Sequence, residues 1–183
     1  MDLVRLDRLT AQTLSRTEME AFRAYLHLVD GKKTDAALTA IYAAAESLVE
    51  TITGHIFRAS SWRVEFAGAG DSVLLPLYPV SAITAVTVDG EPLSGGFSLG
   101  GAAGQMVLQL DTPATSSVVA TASAGYDGTT FPVPAAGTAA VLMAAADMYI
   151  HREAGTETEI KDNPAFKRLI GAVGFIRGGG GLS

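Results

Sequence analysis

The steadiest hydrophobic rhythm in the chain lies between Asp35 and Thr53. There Leu38, Ile41, Tyr42, Ala45, Leu48, Val49 and Ile52 recur at helical spacing and form one apolar stripe. The pattern predicts an amphipathic helix, capped at its start by Thr34 or Asp35 and ended by Gly54, which is placed to take the left-handed conformation. Glu46 and Glu50 fall outside the stripe and are expected on a solvated face. A shorter helix comes before it. Thr17-Glu18-Met19-Glu20 has the capping-box form, and Phe22, Tyr25, Leu26 and Val29 keep helical spacing until Asp30-Gly31 stops the run.

Beyond Gly54 the pattern breaks into short runs rich in Val, Leu and Ile: 61–67, 72–77, 82–88, 97–99, 106–110 and 118–123. Such runs predict strands, and the segments between them are built from turn residues: Gly68-Ala69-Gly70-Asp71, Tyr78-Pro79, Asp89-Gly90, Gly100-Gly101 and Asp111-Thr112-Pro113. Asp89-Gly90 is the strongest hairpin signal, joining Val86-Thr87-Val88 to a following strand. Pro132 and Pro134 close this region, and Val141, Leu142, Ala145, Met148 and Tyr149 carry a third helix to about His151. After a polar break, Asn163-Pro164 restarts a short helix bearing Phe166, Leu169, Ile170 and Val173, and four glycines follow from Gly178.

This order predicts an α+β fold, a small helical bundle with an antiparallel β lobe inserted between the second and third core helices. The expected boundaries are an N-terminal arm at 1–16, a helical core at 17–55 and 132–162, a β lobe at 56–131, and a C-terminal segment with a flexible tail at 163–183.

Composition narrows the chemistry. The formal charge of −6 over 183 residues opposes tight binding of nucleic acid, which needs clustered Lys and Arg to neutralise phosphates. With no cysteine, disulfides, thiolate metal sites and a Cys nucleophile are excluded. Met1 to Leu9 alternates charges with aliphatics and lacks the apolar stretch of a secretory signal, and the longest apolar run, Ala135 to Ala146, is too short for a bilayer span. A soluble protein is expected.

No catalytic constellation emerges. Thr121-Ala122-Ser123-Ala124-Gly125 approaches the G-x-S-x-G nucleophile elbow, but its first glycine is replaced and no helix follows directly. His27, His55 and His151 have no partner at the i, i+4 spacing of a helical zinc site, and the glycine clusters lack the strand and helix that would let amides hold a phosphate. Trp62 is read as a core residue; the alternative is an exposed ring that stacks on a ligand.

Several segments in order carry a family resemblance. They are Thr17-Glu18-Met19-Glu20-Ala21-Phe22 with Leu26-His27-Leu28-Val29-Asp30-Gly31; Ile41, Ala44-Ala45, Val49 and Thr53-Gly54; Trp62; Leu75-Pro76-Leu77-Tyr78-Pro79-Val80; Ala124-Gly125-Tyr126 with Val133-Pro134; and Tyr149-Ile150-His151-Arg152-Glu153. In this order the chain, from about Thr17 to Arg177, resembles the head-tail connector, or adaptor, proteins of long-tailed bacteriophages and gene transfer agents. It departs from them in the low charge of Ala135 to Thr138 and in Gly178 to Ser183, which has no counterpart.

The resemblance implies a non-enzymatic structural protein with no cofactor, metal or membrane partner. It implies a homo-oligomeric ring, a dodecamer, docked beneath the portal protein, with a stopper or tail terminator on its other face and DNA passing through the lumen without specific binding. Such a protein belongs to the head-tail junction of a virion or virus-like particle and is assembled in the bacterial cytoplasm. By the same resemblance, Asn163 to Ile176 is the portal-docking segment, with Phe166, Leu169, Ile170 and Phe175 as apolar anchors. The alternative is that these side chains close the monomer's own core. Two other functions stand beside this one: a β-rich binding module for a carbohydrate or cell-surface ligand using Trp62, and a hydrolase using Ser123.

Overall fold

The computed structural model describes residues 1–10, 14–28, 35–101, 105–151 and 163–174. Its helices are α1 (Arg16–Tyr25), α2 (Asp35–Thr53), α3 (Ala135–Ile150) and α4 (Pro164–Val173). Its strands are β1 (Asp2–Arg8), β2 (Ser60–Ala67), β3 (Gly70–Leu75), β4 (Val80–Val88), β5 (Glu91–Leu93), β6 (Phe97–Gly100), β7 (Met106–Ala114) and β8 (Ser117–Ala124). The fold is α+β. Two compact units divide the described residues: a β unit of 1–10 with 54–132, and a helical unit of 14–53 with 133–174.

In the helical unit α2 packs on α3, and α3 on α4. Alanines Ala45 on α2 and Ala140, Ala144 and Ala145 on α3 are all buried, and so are Leu38, Val49, Val141, Phe166 and Ile170. Small side chains at a helix contact let the backbones approach closely. Phe22 joins α1 to this core, meeting the ring of Tyr42 edge-on with centroids 5.5 Å apart.

Three local expectations are corrected here. The cap of α1 is Ser15, two residues before Thr17: Ser15 Oγ accepts from the Glu18 amide at 3.3 Å, and the Glu18 carboxylate accepts from the Ser15 amide at 2.8 Å. Ser15-x-x-Glu18 and Thr17-x-x-Glu20 have the same spacing. The earlier box forms, and Glu20 pairs instead with Arg16 one turn back at 2.8 Å. The helix then ends at Leu26, with His27 at φ 52°; Val29 lies outside the described residues. On α2 the buried face is rotated from the apolar stripe: Tyr42, Ala45, Glu46, Val49, Glu50 and Thr53 are buried, and Ile41, Leu48 and Ile52 only partly so. Glu46 and Glu50 are therefore not on a solvated face.

The β unit contains a five-stranded sheet in the order β1-β2-β8-β4-β5 and a three-stranded sheet in the order β3-β7-β6, each antiparallel throughout. One face of each sheet supplies the core. Trp62, Val64 and Phe66 of β2 and Val118, Ala120, Ala122 and Ala124 of β8 cluster with Val73 and Leu75 of β3 and Leu108 and Leu110 of β7. Period-2 alternation puts these side chains on one side of their strands. Across the β2–β8 ladder large faces small, with Trp62 opposite Ala122 and Val64 opposite Ala120.

Residues 2–8, expected in an arm, form β1 on the edge of the larger sheet. Leu6 lies opposite Val64 on the core side, while Arg5 faces Glu65 and Asp7 faces Arg63, a ladder of opposite charges on the outer face. The expected turn Asp111-Thr112-Pro113 is instead the end of β7, and the chain reverses at Thr115-Ser116. Proline is tolerated because its stretch falls where the β3–β7 register shifts, between the Gly70–Ala114 and Ser72–Gln109 pairs.

Candidate functional site

The residues expected to anchor a partner divide. Asn163 Oδ1 accepts from the amides of Ala165 and Phe166 at 2.9 and 3.4 Å and fixes the start of α4. From that start Phe166 and Ile170 turn inward and are 1% and 0% exposed. Leu169 is half-buried, Lys167 and Arg168 are exposed, and Phe175 lies outside the described residues. The structure thus brings Phe166 and Ile170 together in the monomer's own core and leaves the outer side of α4 basic.

Trp62 is 9% exposed and belongs to the sandwich core, with the Arg8 guanidinium 4.5 Å from its ring centroid and its indole N–H donating to Ser60 Oγ at 2.9 Å. It offers no open face to a sugar. Ser123 lies in β8 beside an open recess of about 340 Å³ lined by Thr10, Ser60, Ser61, Ser81, Ser123 and Asp127, together with Ala59, Ala124 and Gly125. Among the described residues that line it there is no histidine to serve as a base for the serine. Asp127 Oδ1 is committed to the backbone amides of Thr129, Thr130 and Phe131 at 2.7 to 2.9 Å, which hold its carboxyl below the usual range. Among the described residues no group of three His, Cys, Asp or Glu is arranged to hold a metal ion.

Two polar arrangements went unassigned in the sequence. The first surrounds His55, a buried residue whose Nδ1 shares a hydrogen bond of 2.5 Å with the Tyr126 hydroxyl. Burial pushes the imidazole down to about 4, and burial with the neighbouring Tyr78 pushes the Tyr126 phenol up to about 12. At neutral pH both groups are uncharged, so the pair is a buried hydrogen bond rather than an acid and base poised for catalysis. The backbone repeats the join: Ile56 N–H donates to Tyr78 O at 2.8 Å, Tyr126 N–H to Ile56 O at 3.0 Å, and Gly125 N–H to Pro79 O at 2.8 Å. Gly125 is required by this closeness. Its φ is +116°, and a Cβ there would lie 2.2 Å from the carbonyl oxygen of Arg58.

The second is the Asp89-Gly90 turn. Both residues have positive φ, 52° and 89°, the type I′ geometry. The Asp89 carboxylate crosses to the reversal between β7 and β8. Oδ2 accepts from Thr115 N and Oγ1, each at 2.8 Å, and Oδ1 from Ser116 N, Ser116 Oγ and Ser117 N at 2.7, 2.8 and 2.9 Å. These donors hold the carboxyl well below its ordinary value. The Asp-Gly signal announced the hairpin, but nothing local announced a clasp 26 to 28 residues away.

No protein-family model and no curated protein matches the chain. Solved structures do. A chain of the virion of a native gene transfer agent particle matches with a TM-score of 0.76 and 25% identity, over 97% of this chain and 99% of that one. A chain in the neck of the empty particle, computed with C6 symmetry, gives 0.76 and 23% over 98% and 100%. A chain in the neck of the native particle, computed with C12 symmetry, gives 0.72 and 22% over 98% and 100%. Coverage is near-complete in both directions, so the likeness takes in the α and β elements alike: this chain has the fold of components of the gene transfer agent particle.

Proposed function

We propose that this protein is a structural subunit of the neck of a gene transfer agent or phage-like particle, an adaptor that forms a ring beneath the portal. The observation that carries this reading is the end-to-end likeness to a chain of such a virion at 25% identity. The neck reconstructions with sixfold and twelvefold symmetry favour a closed homo-oligomer, a dodecamer, since subunits in such particles surround an axis. The acidic net charge suits a lumen through which DNA passes without being gripped.

The portal would be met by the C-terminal segment. With Phe166 and Ile170 occupied in the monomer, docking falls to the exposed side of α4, where Lys167 and Arg168 flank half-buried Leu169. The other face of the ring would receive the stopper or tail terminator. Negative-stain imaging of the purified protein, alone and mixed with the portal protein of the same genome, tests the assignment. A ring stacked on the narrow end of the portal is the expected image. No association with an intact portal overturns the reading.

A further inference from the structure

Asp-Gly occurs three times in the chain, at Asp30-Gly31, Asp89-Gly90 and Asp127-Gly128. The dipeptide is open to attack on itself, because glycine has no side chain to obstruct the approach of its amide nitrogen to the preceding carboxyl. The nitrogen bonds to the aspartate Cγ, the Cγ–O bond breaks, and the hydroxyl leaves with the amide proton as water. Water then adds to the α-carbonyl of the cyclic imide, the bond from that carbon to nitrogen breaks, and the chain runs on through the β-carboxyl as isoaspartate.

The first pair lies outside the described residues. In the other two, all four residues are exposed, and a Cβ added at Gly90 or Gly128 would meet nothing within 4 Å. Packing therefore does not shield these glycines. What restrains each pair is the set of donors on its carboxylate, and the two sets differ in kind. Asp127 is held locally, by amides two to four positions on, and the Gly128 amide is itself donated to Phe131 O at 3.2 Å. Asp89 is held from 26 to 28 positions away, with both carboxylate oxygens taken by Thr115, Ser116 and Ser117. To reach Gly90 N, the Asp89 carboxyl must leave all five donors and gain a proton, and the same donors favour the anion.

We propose that Asp89-Gly90 is a latent modification site, an exposed pair that the reversal between β7 and β8 keeps from becoming isoaspartate for as long as the clasp is closed. Conversion would add a backbone atom to the two-residue turn that sets the β4–β5 register, so the clasp guards the covalent chain of the hairpin as well as its shape. The proposal stands apart from the neck reading and depends on this chain alone.

Ageing of the purified full-length chain at pH 7 tests it, with isoaspartate located by methyltransferase labelling and peptide mapping. At Asp89 the folded chain should convert at least tenfold more slowly than the same chain held unfolded in urea. The double variant Thr115→Val with Ser116→Ala removes two of the five donors and should convert at Asp89 at least threefold faster than wild type, with Asp127 unchanged. Asp127, in the same β unit, serves as the internal control. Equal rates at Asp89 in the folded and unfolded wild type overturn the proposal whether or not the variant folds. So does a variant that converts no faster than wild type, or one in which both sites speed up together, since that would be loss of the fold rather than of the clasp.

Discussion

At the scale of single residues, the least expected is His55, a histidine whose ring is spent on holding Tyr126. The sign of its pH effect follows from its lowered value. Above the ordinary histidine value of about 6.5 both folded and unfolded chains carry it neutral, and it adds no pH dependence. As pH falls from there toward about 4, the unfolded chain takes up a proton that the folded chain refuses, and stability drops across that window. Urea unfolding of wild type between pH 7 and 4 should show midpoints falling with pH, and the slope should flatten in His55→Gln. An equal slope in the variant would assign the effect to other groups. The residue was visible in the sequence only as an isolated histidine, because its partners Tyr78 and Tyr126 lie 23 and 71 positions away.

At the scale of elements, legibility followed distance along the chain. The Asn163 cap with Pro164 and the Asp89-Gly90 turn were readable because their determinants sit within a few residues of one another. β1 was not readable. Its residues alternate charge with aliphatics, and what makes them a strand is a ladder to β2 that lies 54 to 65 positions on, with Arg5 and Asp7 answered by Glu65 and Arg63. The capping box of α1 shows a different limit: two overlapping boxes satisfied the same rule, and only the geometry selects Ser15 over Thr17. The clasp from Asp89 to the β7–β8 reversal has no local signal for the same reason of distance, its donors lying 26 to 28 positions on. Asp89→Ala removes all five accepted hydrogen bonds and a turn residue suited to positive φ. Its thermal midpoint should fall clearly below wild type. Since the carboxyl is held below its usual range, the wild-type advantage is present above about pH 4 and fades as pH falls below that. A midpoint unchanged at pH 7 would show the clasp to be incidental.

At the scale of the whole molecule, the reading as an assembly subunit turns on what the chain leaves on its surface. The sequence supplied four candidate anchors in the C-terminal segment; Phe166 and Ile170 proved to be core, which apolar periodicity alone cannot distinguish from an interface. Truncation at Asn163 is accordingly a poor probe of docking, because it opens the helical core. Reversing the exposed charges, Lys167→Glu with Arg168→Glu, leaves that core in place. The double variant should fold with a circular dichroism spectrum and melting point close to wild type and bind the portal at least tenfold more weakly in sedimentation assays. Wild-type binding would move the docking surface away from α4.

Pro92 also bears on a hazard common to proteins with sheet edges at high local concentration. High local concentration favours runaway edge-to-edge growth of sheets into fibres, a polymerisation that needs a free donor row at both ends of every monomer. Pro92 stands opposite Thr87, in the pair beyond the one that flanks the β4–β5 turn, so its nitrogen faces outward and the five-stranded sheet can extend only at β1. That sheet is thereby a chain terminator: of its two ends, one can no longer accept a further strand.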